Sequence, residues 1–339
     1  MVVYASYAPV ADHSLRNMPT KPLSIDAQAN LFLQLAKMES AGIPPLQALD
    51  LLGDRDKILR PRTLIMRRGL QSGYALAESG FKAGVFDDNQ KALVEAAESG
   101  GKLASVYEQL ANHYQGRSQR LNRVRSRLYL PALFLLLTMF AQPLPALVTG
   151  TISGGQYLLR VFGVVTVIAL GSLVVTNLPG WLEKSGLKTG WDGMVLRLPW
   201  AGDWLTVRQL NESFFMLGLL LDAGLAFSDA LPKAVATIRN RVLRSQFAPA
   251  VARCGSGASA VAVLGEVAAI RPPALQILAS GEQSGKLADS LLHFSRSEEH
   301  AIALQDEALA EWLPRLVYGG IAGWMAYSAL TSGAFIPRQ

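Results

Sequence analysis

Charge is the scarcest ingredient of this sequence: Asp, Glu, Lys and Arg make up 17% of its 339 residues, against about 25% in an average soluble domain. A wholly soluble enzyme is therefore a poor fit, and the deficit is not evenly spread. Only Arg160 interrupts the stretch from Leu128 to Leu182, and only Arg338 the stretch from Leu316 to Gln339. Cysteine is almost missing too. Cys254 stands alone and cannot close an internal disulfide, which excludes a disulfide-stapled secreted domain and fits a reducing compartment. The four histidines show no H-E-x-x-H spacing, and with one cysteine no standard zinc site can be assembled. Sustained strand alternation is absent. The net charge of +6 is mild and implies no extended nucleic-acid groove.

What is present is three apolar windows, 129–149, 161–182 and 316–335, each close to the roughly 20 helical residues that cross a bilayer. Arg117, Arg120, Arg123, Arg125 and Arg127 precede the first with no acid among them, whereas 150–159 carries no charge. The excess of cations on one side predicts a cytoplasmic amino terminus and a topogenic role for the five arginines. Lys184, Lys188 and Arg315 agree, and the carboxyl terminus is then periplasmic. Trp181, Trp191, Trp200 and Trp312 lie near span ends, as interfacial anchors do, and 191–204 is expected along the bilayer surface. Arg160, at a span boundary, fits a snorkelling anchor; Pro143 and Pro145 should end or kink the first span. The expected organisation is a loose tail 1–23, a helical domain 24–127, a transmembrane hairpin 128–182, an interfacial linker 183–206, a second helical domain 207–315, a third span 316–335 and an outer tail 336–339.

The sequence also repeats itself at an offset of about 183 residues. Phe32, Ala41-Gly42 and Ala48-Leu49 return as Phe214, Ala223-Gly224 and Ala230-Leu231, and Gly73 as Gly257. Glu98-Ser99-Gly100-Gly101-Lys102-Leu103 is answered by Glu282-Gln283-Ser284-Gly285-Lys286-Leu287, and Tyr129-Leu130-Pro131 by Trp312-Leu313-Pro314. Within each unit the apolar spacing is helical, as in Leu31, Leu35 and Met38 or Phe214, Leu217 and Leu221. Gly42 and Gly224 occupy the place of a left-handed helix cap. The fold class that follows is an all-α membrane protein: two duplicated cytoplasmic helical bundles of about six helices each, and three transmembrane helices.

The repeated glycine-rich segments complete no catalytic motif. Ser99 to Lys102 and Gly281 to Lys286 suggest a phosphate loop, but Leu103 and Leu287 stand where Walker A needs a hydroxyl. A turn between helices, with Glu98 and Glu282 hydrogen-bonded locally, accounts for both. Ser99-x-x-Lys102 lacks the companion motifs of a penicillin-binding signature. His293 and His300 share a helix face and should be solvated. A membrane enzyme is disfavoured because no nucleophile, base or metal set converges. The alternative of a small transporter or channel needs polar or ionisable groups within the spans, and only Arg160 is available.

The duplicated Ala-Gly-hydrophobic turn and the duplicated Glu-x-x-Gly-Lys-Leu segment, each in a helical domain leading into a span, resemble the GspF/PilC inner-membrane platform family of type II secretion and type IV pilus machines. The resemblance runs from about Asp26 to Phe335. Gly281 to Leu287 matches the family's Gly-Glu-x-Ser-Gly-x-Leu throughout, while in the first copy Ala97 replaces the leading glycine and Gly100 the serine. It implies a non-catalytic scaffold without cofactors in the bacterial inner membrane. The implied partners are a cytoplasmic assembly ATPase, pilin or pseudopilin transmembrane helices, other inner-membrane assembly components, membrane lipid and further copies of itself. The positions expected to shape its interaction surfaces are Gly42, Glu98, Gly100, Gly101, Leu103, Gly224, Glu282, Ser284, Gly285 and Leu287.

Overall fold

The computed structural model describes residues 23–331 except 142, 151, 160, 164–165, 167–169, 172, 174–187 and 199–200. Among these the chain is helix and turn, with no strand. The second expected span falls largely outside the described residues, as do Arg160, both expected tails but for Leu23, and the last residues of the third span.

Helix α1 (Ile25–Ser40) begins where the Ser24 hydroxyl accepts a hydrogen bond from the Ala27 N–H, 3.2 Å away, an N-cap that satisfies one of the orphan donors of the first turn. It ends at Gly42, whose φ of 68° is open to glycine at little cost. Leu31, Phe32, Leu35 and Met38 are buried on one face and rest on α6 (Leu103–Ala141). The Asp26 carboxylate accepts hydrogen bonds from Ser118 and Asn122 of α6, whereas Phe32 lies between Tyr107 and Tyr114. The two helices are thus antiparallel. Between them in sequence come α2 (Pro45–Arg55), α3 (Arg60–Gln71), α4 (Leu76–Lys82) and α5 (Asp88–Gly100). An Asp50–Arg67 ion pair of 2.8 Å ties α2 to α3. A reciprocal capping box of Asp87 and Gln90 opens α5, and the Gln90 amide donates to the Tyr114 hydroxyl at 2.7 Å.

After α6 and the short α7 (Leu144–Val148), with Pro143 between them, residues 154–159 and 161–163 are helical, and α8 (Lys188–Arg197) and α9 (Ala201–Asp222) follow. Helix α9 starts inside the expected linker. Gly224, at φ 99°, ends it, and α10 (Phe227–Ala236), α11 (Arg241–Ser245), α12 (Ala248–Arg253), α13 (Ala260–Leu264), α14 (Pro272–Gln283) and α15 (Leu287–Thr331) follow. Helix α9 approaches α15 closely because Gly218 has no side chain: a Cβ there would fall 2.9 Å from Leu292 Cγ.

Pro131 and Pro314, repeat counterparts, each sit inside an unbroken helix. Among the described residues one helix, Leu103–Ala141, is long and apolar enough to cross a membrane. Beyond Arg127 it exposes Tyr129, Leu130, Leu133 and Leu137. The last part of α15 likewise exposes Trp312, Leu316, Trp324 and Met325.

Buried residues of both halves, among them Phe32, Leu93, Tyr107, Phe214, Leu220 and Leu291, join in one continuous apolar cluster. Burying each large side chain contributes about 1.5–3 kcal/mol, so the halves hold one another as well as themselves.

Candidate functional site

The first glycine-rich segment does not face solvent alone; it docks on the turn that follows α9. Gly101, at φ 65°, ends α5 and turns the chain into α6. One residue earlier Gly100 lies so near the backbone of the second half that a Cβ would fall 2.5 Å from the Ala223 carbonyl oxygen. Lys102 closes the contact by donating from Nζ to the Asp222 carbonyl and to its carboxylate, at 2.5 and 2.9 Å. Gln109 Nε2 donates to the other carboxylate oxygen at 3.4 Å. A cation at the carboxyl end of α9 also meets the negative end of that helix's dipole. Beside this junction runs a cleft of about 740 Å³ between α5 and α10, with Ala92, Ala96, Gly100, Ala223 and Gly224 among its walls.

The second glycine-rich segment is built differently. Ser284 and Gly285 are exposed. The Ser284 hydroxyl donates back to the Ser280 carbonyl at 2.8 Å, and Gly285 turns at φ 67°. The Glu282 carboxylate accepts the N–H groups of Ala260 and Val261 at 2.5 and 3.1 Å, capping α13 rather than its own loop. Its counterpart Glu98 is exposed; its carbonyl accepts the Gly101 N–H, but its carboxylate makes no hydrogen bond among the described residues. Leu103 and Leu287, half-buried, open α6 and α15 against the core. Gly42 and Gly224 both take positive φ, but of their two turns it is the one at Gly224 that receives the neighbouring loop. The departure from the repeat at Gly100 thus has a steric reason: a serine there would drive its Cβ into the Ala223 carbonyl.

A second contact joins α6 to α15. His113 stacks on Phe215 with ring centroids 4.5 Å apart and sets Nδ1 2.8 Å from Glu299 Oε1. Arg120 lies 3.9 Å from the same oxygen. Arg127 reaches Glu307 at 3.2 Å and Glu311 at 3.6 Å, and Arg117 reaches Glu212 of α9 at 3.6 Å. Arg123 and Arg125 make no ion pair among the described residues. Farther along, Phe134 and Tyr318 meet edge to face at 5.9 Å. Partner numbers rise together, so α6 and α15 run parallel. Several partners stand 180 to 186 positions apart, near the spacing of the sequence repeat.

Asp222, His113, Phe215 and the α15 acids escape a motif search. The available signal was a stripe of acids at 299, 306, 307 and 311, offset by about one repeat from the arginine stripe. Among the described residues no group of three or more His, Cys, Asp or Glu could hold a metal ion. His293 and His300 are exposed on α15.

Burial opposes ionisation of Glu299, but the His113 contact, with the charges of His113, Arg120 and His300, outweighs it and holds the carboxyl below its usual range. A depressed folded-state value adds stability that is present above the ordinary carboxylate range and lost as pH falls through the folded value. Thermal unfolding of the detergent-solubilised protein between pH 7 and 3 should therefore show a drop in midpoint on acidification that is smaller in Glu299→Gln. An unchanged acid limb in that variant would refute the assignment.

The sequence profile of the family described as type II secretion system (T2SS), protein F, matches residues 31–148 and again 215–330. The chain is similar to the type II secretion system protein F of Pseudomonas aeruginosa, 27% identical over 298 residues that cover 80% of this chain and 72% of that protein. It is similar to the Vibrio cholerae protein of the same name, 26% identical with 84% and 75% covered. The type IV pilus assembly protein PilC of Myxococcus xanthus is 23% identical, with 86% and 75% covered. With both matched stretches lying on the helices that form this junction and together spanning more than half of its length, the chain belongs to the type II secretion system protein F family.

Proposed function

We propose that the protein is an inner-membrane platform of a type II secretion or type IV pilus machine, made of two like-oriented helical modules that arose by duplication. It couples a cytoplasmic assembly ATPase to the insertion of pilin or pseudopilin subunits into a filament, catalyses nothing itself and works as a small oligomer. Three spans tether it, with the amino terminus in the cytoplasm and the carboxyl terminus in the periplasm. The observation that carries this reading is the parallel run of α6 and α15, with Phe134 against Tyr318 at repeat spacing. Two modules whose exit helices run side by side in one direction must lie on the same side of the bilayer they enter. A motion imposed on either module by a motor would then pass along both helices to subunits held in the lipid.

The reading is tested by single cysteines placed near Gly100 and near Ser284 in a Cys254→Ser background. A membrane-impermeant thiol reagent added to intact cells should reach neither, and both should react in inverted vesicles. Labelling of one site from each side would defeat it. Co-purification in mild detergent should recover the ATPase and a pilin-like subunit, and recovery of neither would leave only a tethered scaffold.

A further inference from the structure

The turn between α2 and α3 is built to meet something. The Asp56 carboxylate accepts the Ile58 N–H at 2.7 Å, and this tight turn pushes the Ile58 side chain outward until it is 70% exposed. Around it stand Arg55, Lys57 and Arg60, all exposed and, among the described residues, without an ion pair. The acids nearby are Asp56, engaged with the backbone, and Asp54. Arg62 is directed inward and donates to the Gly84 carbonyl at 2.6 Å.

That bond locates the turn. Gly84 belongs to the loop before α5, and the Phe86 ring from the same loop stacks on Phe32, which stacks on Tyr114. The loop lies at the end of α5 that faces the span, opposite the end at Gly100 that docks on Ala223. From Tyr114 to Leu128, where the first apolar stretch begins, is about 20 Å along a helix. A second observation agrees. One repeat farther on, the connection between α10 and α11 is bound by α8: the Asn240 amide donates to the Asp192 carbonyl at 3.1 Å, and the Arg241 N–H to the Asp192 carboxylate at 2.8 Å. Helix α8 follows closely behind the second apolar window and exposes Trp191 and Met194. Both turns therefore sit on the membrane-facing end of their halves.

We propose that the α2–α3 turn is a foot on the bilayer: Arg55, Lys57 and Arg60 engage the anionic headgroups of the leaflet that α6 enters, and Ile58 seats among them. The inference rests on the orientation argued for the proposed function. Cations near an anionic surface are each drawn to it, and a projecting aliphatic side chain adds burial that water denies it. An acidic protein face would suit the cations as well, but the turn is at the end of the bundle where the chain's own span guarantees a bilayer. The foot would fix the tilt of the first half over the membrane, giving the leaflet's lipid composition a hold on the platform.

The test uses the full chain in nanodiscs, with Cys254→Ser and an environment-sensitive fluorophore on Ile58→Cys or, separately, on Leu133→Cys. In discs of phosphatidylglycerol and phosphatidylcholine the label at 58 should shift to the blue and be quenched by a lipid-borne quencher. The shift should vanish in pure phosphatidylcholine, in 1 M salt, or with Arg55, Lys57 and Arg60 all changed to Glu. If the label at 133 is quenched in every disc while that at 58 stays water-exposed in all, the foot is refuted and the membrane orientation stands. An unquenched label at 133 would refute the orientation itself. A shift at 58 that needs an added acidic protein and ignores lipid composition would overturn the proposal in favour of a protein partner.

Discussion

Gly100→Ser should weaken the protein by about 2 kcal/mol, within the 1–3 kcal/mol that overpacking usually costs, although it makes the first segment more like the second. The obstacle is the Ala223 carbonyl, 2.5 Å from where the Cβ must go. It is backbone at the end of a packed helix, so no side chain can swing aside to make room. The reverse change, Ser284→Gly, removes a hydroxyl that bonds only to its own helix and should shift stability by no more than about 0.5 kcal/mol. Thermal or denaturant unfolding of the purified protein in detergent compares the two. Equal losses would mean that the junction is not held through this loop, and that Lys102 and Asp222 merely touch.

The largest loss is expected from Phe32→Ala, at about 3–5 kcal/mol. The ring is fully buried and faces Phe86, Tyr107 and Tyr114 at centroid distances of 6.1, 6.1 and 5.7 Å. Its removal leaves a cavity where α1, the loop before α5 and α6 meet, and such sites relax poorly because each wall belongs to a different element. Phe32→Leu keeps much of the volume and should lose less than half as much. The counterpart Phe214 is also buried but, among the described residues, pairs with one ring, Phe294, at 6.0 Å. Its alanine variant should therefore cost less by two aromatic pairs, about 0.5–1.5 kcal/mol each. A Phe32→Ala protein that accumulates in the membrane and unfolds like the parent would contradict this packing account.

Much of the local structure was legible in the chain itself. Helical apolar spacing from Leu31 to Met38 and a glycine at 42 mark α1 without reference to anything distant, because each acts within a turn or two of helix. The repeat was equally plain, since identities at a fixed offset need no geometry to be seen. The roles of charged groups were harder. The arginines from 117 to 127 read as a topogenic cluster, and nothing local reveals that three of them have carboxylates on α15 or α9 within 4 Å. Glu282 read as a loop hydrogen-bonder, yet it caps a helix some twenty residues earlier. Gly100 read as a departure from a motif, with no hint of its cause.

By itself, then, the sequence determined that the chain is helical, duplicated and partly apolar enough for lipid, because periodicity, caps and composition are properties of neighbouring residues. Tertiary structure alone decided that the two copies share one core, that the first glycine-rich loop and not the second is held by its neighbour, and that α6 and α15 run parallel. Those outcomes hang on contacts between residues more than a hundred positions apart, such as Lys102 with Asp222 or His113 with Glu299. Whether two such groups meet is fixed by how whole helices pack, and the absence of one Cβ at Gly100 is what permits that packing.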